Sequence, residues 1–270
     1  MAIVNRTPDS FYDKGATFAF DAALKRCAEV IEAGASIVDV GGVKAGPGEE
    51  VDIAAEIDRV VPLIAAIRAR HTQVDISVDT WRPEVAEAAV DAGATLINDT
   101  WAGFEPELVE VAGARKVGYV CSHTGGATPR TRPHRVLYDD VVESVIRETT
   151  ALAERAATCG VPEEKVFIDP THDFGKNTFH GLEILRGIED ITATGWPVLM
   201  ALSNKDFIGE TLDRPVGERV SGTLAATAWC AARGVAAFRV HEVAETVDVI
   251  RMTAAIQGAV APLNTVRGLA

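Results

Sequence analysis

The sequence has little cysteine. Its 270 residues hold four, at 27, 121, 159 and 230, with no Cys-x-x-Cys pair among them. That spacing excludes a zinc ribbon or a disulfide scaffold and fits a protein of the reducing cytoplasm. Basic residues are also scarce: 26 Lys and Arg face 39 Asp and Glu, for a formal net charge of -13. So acidic a chain lacks the cationic surface that nucleic acid or anionic lipid requires, and neither is expected as a partner. No apolar run approaches the roughly 18 residues of a membrane span. The start, Met1-Ala2-Ile3-Val4, has neither the charge nor the apolar length of a secretory signal. No Pro- or Ser-rich linker divides the chain, so one domain is expected over 1–270, with a C-terminal tail at 258–270.

What is present is a recurring unit. An amphipathic helical segment meets a small Gly-containing turn, then a short apolar run that ends in polar residues. Ala33-Gly34-Ala35 precedes Ser36-Ile37-Val38-Asp39-Val40; Ala92-Gly93-Ala94 precedes Thr95-Leu96-Ile97-Asn98-Asp99; Arg233-Gly234-Val235 precedes Ala236-Ala237-Phe238-Arg239-Val240-His241. Glycine fits those turns as a helix C-terminal cap because it takes positive φ without strain. Further apolar runs at 2–4, 74–78, 116–121, 166–168 and 198–202 bring the candidate strands to eight. Uniformly apolar runs suit strands covered on both faces. Helical patterns occupy 19–33, 51–70, 82–92, 106–113, 139–159, 178–192, 216–233 and 242–257. Strict alternation leaves an open doubly wound sheet or a closed (β/α)8 TIM barrel. The size and the lack of a Gly-x-Gly-x-x-Gly after the first strand favour the barrel.

A barrel carries its chemistry at the C-terminal ends of its strands. Polar residues collect there: Asn5, Asp39, Asp79, Asn98-Asp99, Ser122-His123, Asp169, Ser203-Asn204-Lys205, and Arg239 with His241. Any one of them could be an ordinary wet strand end. Together, Asp79, Asn98 and Asp169 suggest a subsite that reads a hydrogen-bonding heterocycle, and Lys205 and Arg239 one that holds an anion.

The segment Gly41-Gly42-Val43-Lys44-Ala45-Gly46-Pro47-Gly48 has four Gly in eight positions and reads as a mobile connector or a closing lid. Residues 128–135 form a basic, Pro-bounded stretch that is either surface loop or cationic wall. His71 and His180 read as surface or helix-capping residues; His123, His134 and His172 lack the close helical spacing of a zinc site.

At these positions the chain resembles the dihydropteroate synthase family along nearly its whole length. The resemblance rests on Asn5-Arg6-Thr7-Pro8-Asp9-Ser10-Phe11, Asp39-Val40-Gly41-Gly42, Ser77-Val78-Asp79-Thr80, Ile97-Asn98-Asp99, Asp169-Pro170, Phe174-Gly175-Lys176, Ser203-Asn204-Lys205, Gly222-Thr223-Leu224-Ala225-Ala226 and Arg239-Val240-His241. It implies a cytoplasmic, usually homodimeric barrel of folate biosynthesis. Such a transferase joins 6-hydroxymethyl-7,8-dihydropterin pyrophosphate to p-aminobenzoate with Mg2+. By the same resemblance Asp79, Asn98, Asp169, Lys205 and Arg239 are the pterin-binding set. Asn5, Arg239 and His241 form the pyrophosphate site, with Asn5 toward Mg2+.

The departures cluster on the acceptor side. Where the family reads Gly-Gly-Glu-Ser-Thr-Arg-Pro-Gly, this chain has Lys44, Ala45, Gly46 and Pro47 in place of the acidic, hydroxyl and Arg side chains. Where the family has Ser or Arg meeting the benzoate carboxylate, this chain has Asp206; like charges at about 4 Å repel by about 1 to 4 kcal/mol. The family's Asp-Pro-Gly-x-Gly-Phe is Asp169-Pro170-Thr171-His172-Asp173-Phe174, which brings two polar side chains to the pterin floor, and Ser122 replaces a common Met. The chain thus resembles the divergent actinobacterial second paralogue of the family. Three functions follow: a homologue weak or inactive in the condensation, an active synthase whose Lys44 or 130–135 stretch replaces the lost cation, or a non-catalytic pterin- or anion-binding protein. A pterin-binding methyltransferase-type barrel is disfavoured by Arg239-Val240-His241.

Overall fold

A computed structural model describes residues 1–7, 19–131 and 137–267. Strands β1 (Ala2–Asn5), β2 (Ile37–Gly41), β3 (Asp75–Asp79), β4 (Leu96–Asp99), β5 (Gly118–Ser122) and β6 (Val166–Asp169) pair in chain order as one parallel sheet; β7 (Leu199–Met200) pairs with β8 (Ala237–Phe238). Parallel bridges from Ile168 to Val198 and from Ala2 to Val240 close the ring. The closure is hydrogen-bonded on both edges of β1, where Ile3 N–H reaches Val240 O at 3.0 Å. The architecture is the (β/α)8 barrel that the alternation predicts.

The outer ring comprises α1 (Phe20–Glu32), α2 (Ile53–Arg70), α3 (Pro83–Asp91), α4 (Leu108–Arg115), α5 (Val141–Thr158), α6 (Thr178–Arg186), α7 (Ile188–Thr192), α8 (Asp206–Leu212), α9 (Val220–Ala231) and α10 (Val243–Ile256). Three of their starts carry side-chain caps. Asp52 accepts from Ala55 N–H at 2.7 Å, Asp140 accepts from Glu143 N–H at 2.9 Å, and Asn177 forms a capping box with His180. Gly34, Gly93 and Gly234 take φ of +99°, +115° and +86°, the left-handed caps expected of them.

Two helical expectations change. The segment 178–192 is two helices, not one, broken at Gly187. A Cβ there would lie 2.8 Å from Val142 of α5, so close packing selects glycine, a poor helix former. The helix expected from 216 starts at Val220, because Pro215 and Gly217 (φ +91°) shape a loop after α8. Beyond α10 the described chain runs to 267 without helix or strand.

Strand residues alternate in and out of the ring. Outward residues such as Val38, Val40, Ile76, Val78, Ile97 and Ile168 form the main core against the helices. Inside, Leu96, Val120 and Leu199 pack with Met1, Ile37, Phe167 and Ala237. Two residues further along the strands the inward positions become polar: Asp39 after Ile37, Asn98 after Leu96, Asp169 after Phe167, Arg239 after Ala237. The barrel is thus plugged by hydrocarbon below and polar at its C-terminal mouth. That grading positions the site.

Candidate functional site

A cavity of about 340 Å³ opens at the mouth. Arg239 is its organising charge. Its Nε donates to Asp39 Oδ2 and its Nη2 to Asp79 Oδ2, each at 2.7 Å. Burial alone would lower the pKa of the guanidinium, but the two carboxylates outweigh it and raise it. Asp79 is raised from the ordinary carboxylate range chiefly by burial; Arg239 opposes the shift and the neighbouring Asp39 adds to it. Thr100 donates to the other Asp79 oxygen at 3.0 Å. Asp39 Oδ1 is fully buried with no hydrogen-bond partner among the described residues. Asn98 stands beside Asp79 in register and is buried.

Next to Arg239, Ser203 Oγ donates to Glu242 Oε2 at 2.7 Å and lies 2.9 Å from His241 Nδ1; Asn204 Nδ2 donates to Glu242 Oε1 at 2.8 Å. Since the hydroxyl proton goes to Glu242, His241 carries its proton on Nδ1 and donates to Ser203. This is not a hydrolase relay. There the carboxylate must orient the imidazole, and here it holds the serine.

The loop after β6 is held in left-handed conformations, with φ +52° at Thr171, +69° at Asp173 and +61° at Gly175. Lys176 fastens it by donating to the carbonyls of His123 (2.7 Å), Phe174 (3.0 Å) and Thr171 (3.2 Å). Burial pushes the Lys176 ammonium down to about 7. Asp169 accepts from Thr171 N–H at 2.7 Å, and burial raises its carboxyl to about 6. Of the two polar side chains that replace glycines, Thr171 turns back on its own loop, donating through Oγ1 to the Asp169 carbonyl at 2.9 Å, and Asp173 lines the cavity; His172 between them does not reach it. It turns behind the wall, bonds Gly181 O at 3.2 Å and packs on Phe207, because the left-handed turn at Thr171 and Asp173 rotates it outward to the helix layer. His123 is likewise buried, facing Ser144 and Glu148 of α5, each at 3.2 Å. Burial lowers both imidazoles to about 3.

The opposite end of the cavity is aromatic and acidic. Trp101 meets Phe174 edge-on at 5.1 Å between centroids and Trp81 at 6.4 Å. Val43, Ala45 and Ala127 pack on this cluster, so the Gly-rich segment forms a cavity wall. Lys205 Nζ lies 5.1 Å above the Phe174 ring. Asp206 is not the unopposed charge that the sequence implies: Arg219 Nη1, almost buried, pairs with it at 2.9 Å. Arg219 crosses over Gly209, where any side chain would collide with the guanidinium. Asp206 N–H, in the first turn of α8, donates to Asp173 Oδ2 at 2.9 Å.

Of the residues singled out in the sequence, Asn5, Lys44, Ala45, Gly46, Asp79, Phe174, Lys205, Asp206, Arg239 and His241 line this one cavity. Asn98 and Asp169 are buried and Pro47 lies off the lining. Pro8 to Phe11 and residues 132–136 fall outside the described residues; of the 128–135 stretch suggested as a cationic wall, 128–131 are described and Thr131 lines the cavity. The sequence reading missed the parts played by Asp39, Trp101, Asp173, Ser203, Arg219 and Glu242. Period-two alternation along β2 would have turned Asp39 inward. The lost Gly at 173 signalled that position.

A closed barrel with a charged, aromatic-walled cavity at its C-terminal mouth defines a protein that takes a small polar ligand. Comparison with known proteins makes this specific. Residues 1–241 match the family model "Pterin binding enzyme". A Mycobacterium leprae protein named "Inactive dihydropteroate synthase 2" is 59% identical over 100% of this chain and 94% of its own length. The Escherichia coli dihydropteroate synthase is 38% identical over 94% of this chain and 90% of its own. The solved Yersinia pestis dihydropteroate synthase in complex with a sulfonamide drug superposes with a TM-score of 0.89 at 34% identity, covering 96% of this chain and 94% of that one. The chain belongs to the pterin-binding enzyme family.

Proposed function

We propose that the protein is a dihydropteroate synthase homologue that keeps the family's pterin and pyrophosphate frame and is weak or inactive in condensing 6-hydroxymethyl-7,8-dihydropterin pyrophosphate with p-aminobenzoate. The observation that carries this reading is the acceptor end. Asp173 and Asp206 both line it, and Lys44-Ala45-Gly46 replaces the family's polar loop. The 59% identity to a relative named as inactive supports it.

In this reading Asp79, Asn98 and Asp169 supply acceptors and an amide for a pteridine edge, with Lys205 beside it and Arg239 as the cation over which the flat ring stacks. Asn5, Arg239 and His241 hold the pyrophosphate. Asn5 offers one neutral amide oxygen, and among the described residues no three His, Cys, Asp or Glu converge. That donor set suits a Mg2+ that keeps its waters and is held mainly by ligand phosphates, neutralising departing charge when bound.

The protein is cytoplasmic in this reading, and no described helix is long and apolar enough to cross a membrane. It is a homodimer through α9 and α10, where Trp229, Met252 and Ile256 are exposed. A turnover assay following pyrophosphate release with both substrates tests the function. Release far slower than that of an active relative, down to the uncatalysed background, is expected, and rates like those of an active relative would overturn it. Lys44 on the cavity wall favours the alternative of an active synthase, in which Lys44→Ala abolishes p-aminobenzoate binding.

A further inference from the structure

The acceptor end of the cavity does more than lose contacts. Resting on the reading above, we propose that Asp173 is a specificity-determining residue. It closes this end to carboxylate-bearing ligands and leaves it open to flat aromatic ligands without an anionic group.

A ligand carboxylate here would seek a backbone N–H or a cation. The Asp206 N–H is already bonded to Asp173 Oδ2 at 2.9 Å. Arg219, the buried cation just before α9, is committed to Asp206 Oδ1 and to the Asn204 carbonyl, both at 2.9 Å, and to the Arg214 carbonyl at 3.1 Å. Lys176 is spent on three carbonyls. Two further cations line the same cavity, Lys205 over the Phe174 ring and Lys44 on the Gly-rich wall, and the carboxylates of Asp173 and Asp206 stand beside them, offsetting their charge where an incoming carboxylate would sit.

The wall around them remains suited to a ring. Trp101 and Phe174 present perpendicular aromatic surfaces (76° between planes), with Val43 and Ala45 alongside. Shape admits an aromatic body and charge rejects an anionic tail.

Backbone conformation makes the residue testable. Asp173 has φ +69°, a conformation that Asp and Asn tolerate and Gly takes without cost. Asp173→Gly therefore removes the carboxylate without backbone strain. Asp173→Asn keeps an acceptor for the Asp206 N–H but removes the charge.

The experiment is calorimetric titration of the full chain and both variants with two ring compounds of equal shape, 4-aminobenzoate and its neutral amide, 4-aminobenzamide. The wild type should bind the amide at least about tenfold more tightly than the acid. Affinity for the acid should rise roughly threefold to tenfold in Asp173→Asn and roughly tenfold to 100-fold in Asp173→Gly, with amide affinity changed by less than about threefold.

Equal wild-type affinity for acid and amide overturns the proposal. So does unchanged acid affinity in both variants, or wild-type protein that binds neither compound. Thermal melts confirm that the variants fold; should Asp173→Gly fail to fold, Asp173→Asn carries the test alone. Failure here leaves the reading of weak synthase activity standing, because that reading falls only if the wild type turns over both family substrates.

Discussion

The two ends of the cavity are built on different principles. At the β1–β8 end the functional groups sit on strands, and register places them: Asn5 opposite Gly41, Gly41 opposite Asp79, Asp79 opposite Asn98, with Arg239 rising from β8 between two carboxylates. At the α8 end they sit on loops, and side chains place each other: Asp173 on the Asp206 N–H, Asp206 on Arg219, Lys205 over Phe174. A strand-borne site changes only if the sheet does. A loop-borne site can be rewritten one side chain at a time, and substitutions such as Asp173 and Asp206 do this without disturbing the barrel.

The comparison is sharpest at Arg239. Arg239→Ala leaves Asp39, fully buried, and Asp79 facing each other unpaired, which should cost about 3–5 kcal/mol in urea unfolding. A cost below about 1 kcal/mol would mean that the strand-borne frame does not depend on this charge. Next comes Gly175→Ala, on the loop that joins the two ends. It forces an L-residue to φ +61° and drives a methyl into the Thr124 carbonyl, so a loss of about 2–4 kcal/mol is expected by the same measurement.

Asp169 gives a pH signature. Its pKa is raised from 3.8 to about 6, so between these values the folded chain binds more protons than the unfolded chain. Its contribution is therefore fully present below pH 3.8 and is lost as pH rises through 6. Unfolding free energies of wild type and Asp169→Asn should differ by about 2–3 kcal/mol more at pH 7.5 than at pH 3.5, in favour of the variant at the higher pH. A difference independent of pH would remove the raised pKa from the account.

The smallest effect belongs to the Gly-rich loop after β2. A Cβ on Gly46 meets nothing within 4 Å, so Gly46→Ala should change stability by less than about 0.5 kcal/mol. In the same loop Gly42→Ala presses on Val60 at 2.9 Å and should destabilise measurably. Equal effects at the two positions would contradict the assignment of the loop's fixed and open portions.

What could be read from the sequence follows the same division. All eight strands, the glycine caps and the strand-end polar residues were legible, because burial on both faces writes an apolar run and a helix end writes a glycine. That Asn5, Asp79, Lys205 and Arg239 come together around one cavity was legible because strand ends must converge in a barrel. The acceptor end was only half legible. The sequence exposes Asp206 as a misplaced charge, but Arg219 lies 13 positions further on, across a loop, and no period links them. His172 and Asp173 are neighbours in the chain; only the left-handed turn sends one behind the wall and the other to α8. Gly187 divides 178–192 for a reason that lies in α5.

The central claim is a retained pterin and pyrophosphate half joined to an acceptor half closed to benzoate. Calorimetry on the wild-type chain tests it most directly, with 6-hydroxymethyl-7,8-dihydropterin pyrophosphate and Mg2+ in one titration and p-aminobenzoate in another. The account predicts saturable binding of the pterin pyrophosphate and only weak binding of p-aminobenzoate, at least about tenfold weaker than that of its neutral amide. Binding of p-aminobenzoate as tight as that of the amide, or none of the pterin, would contradict it.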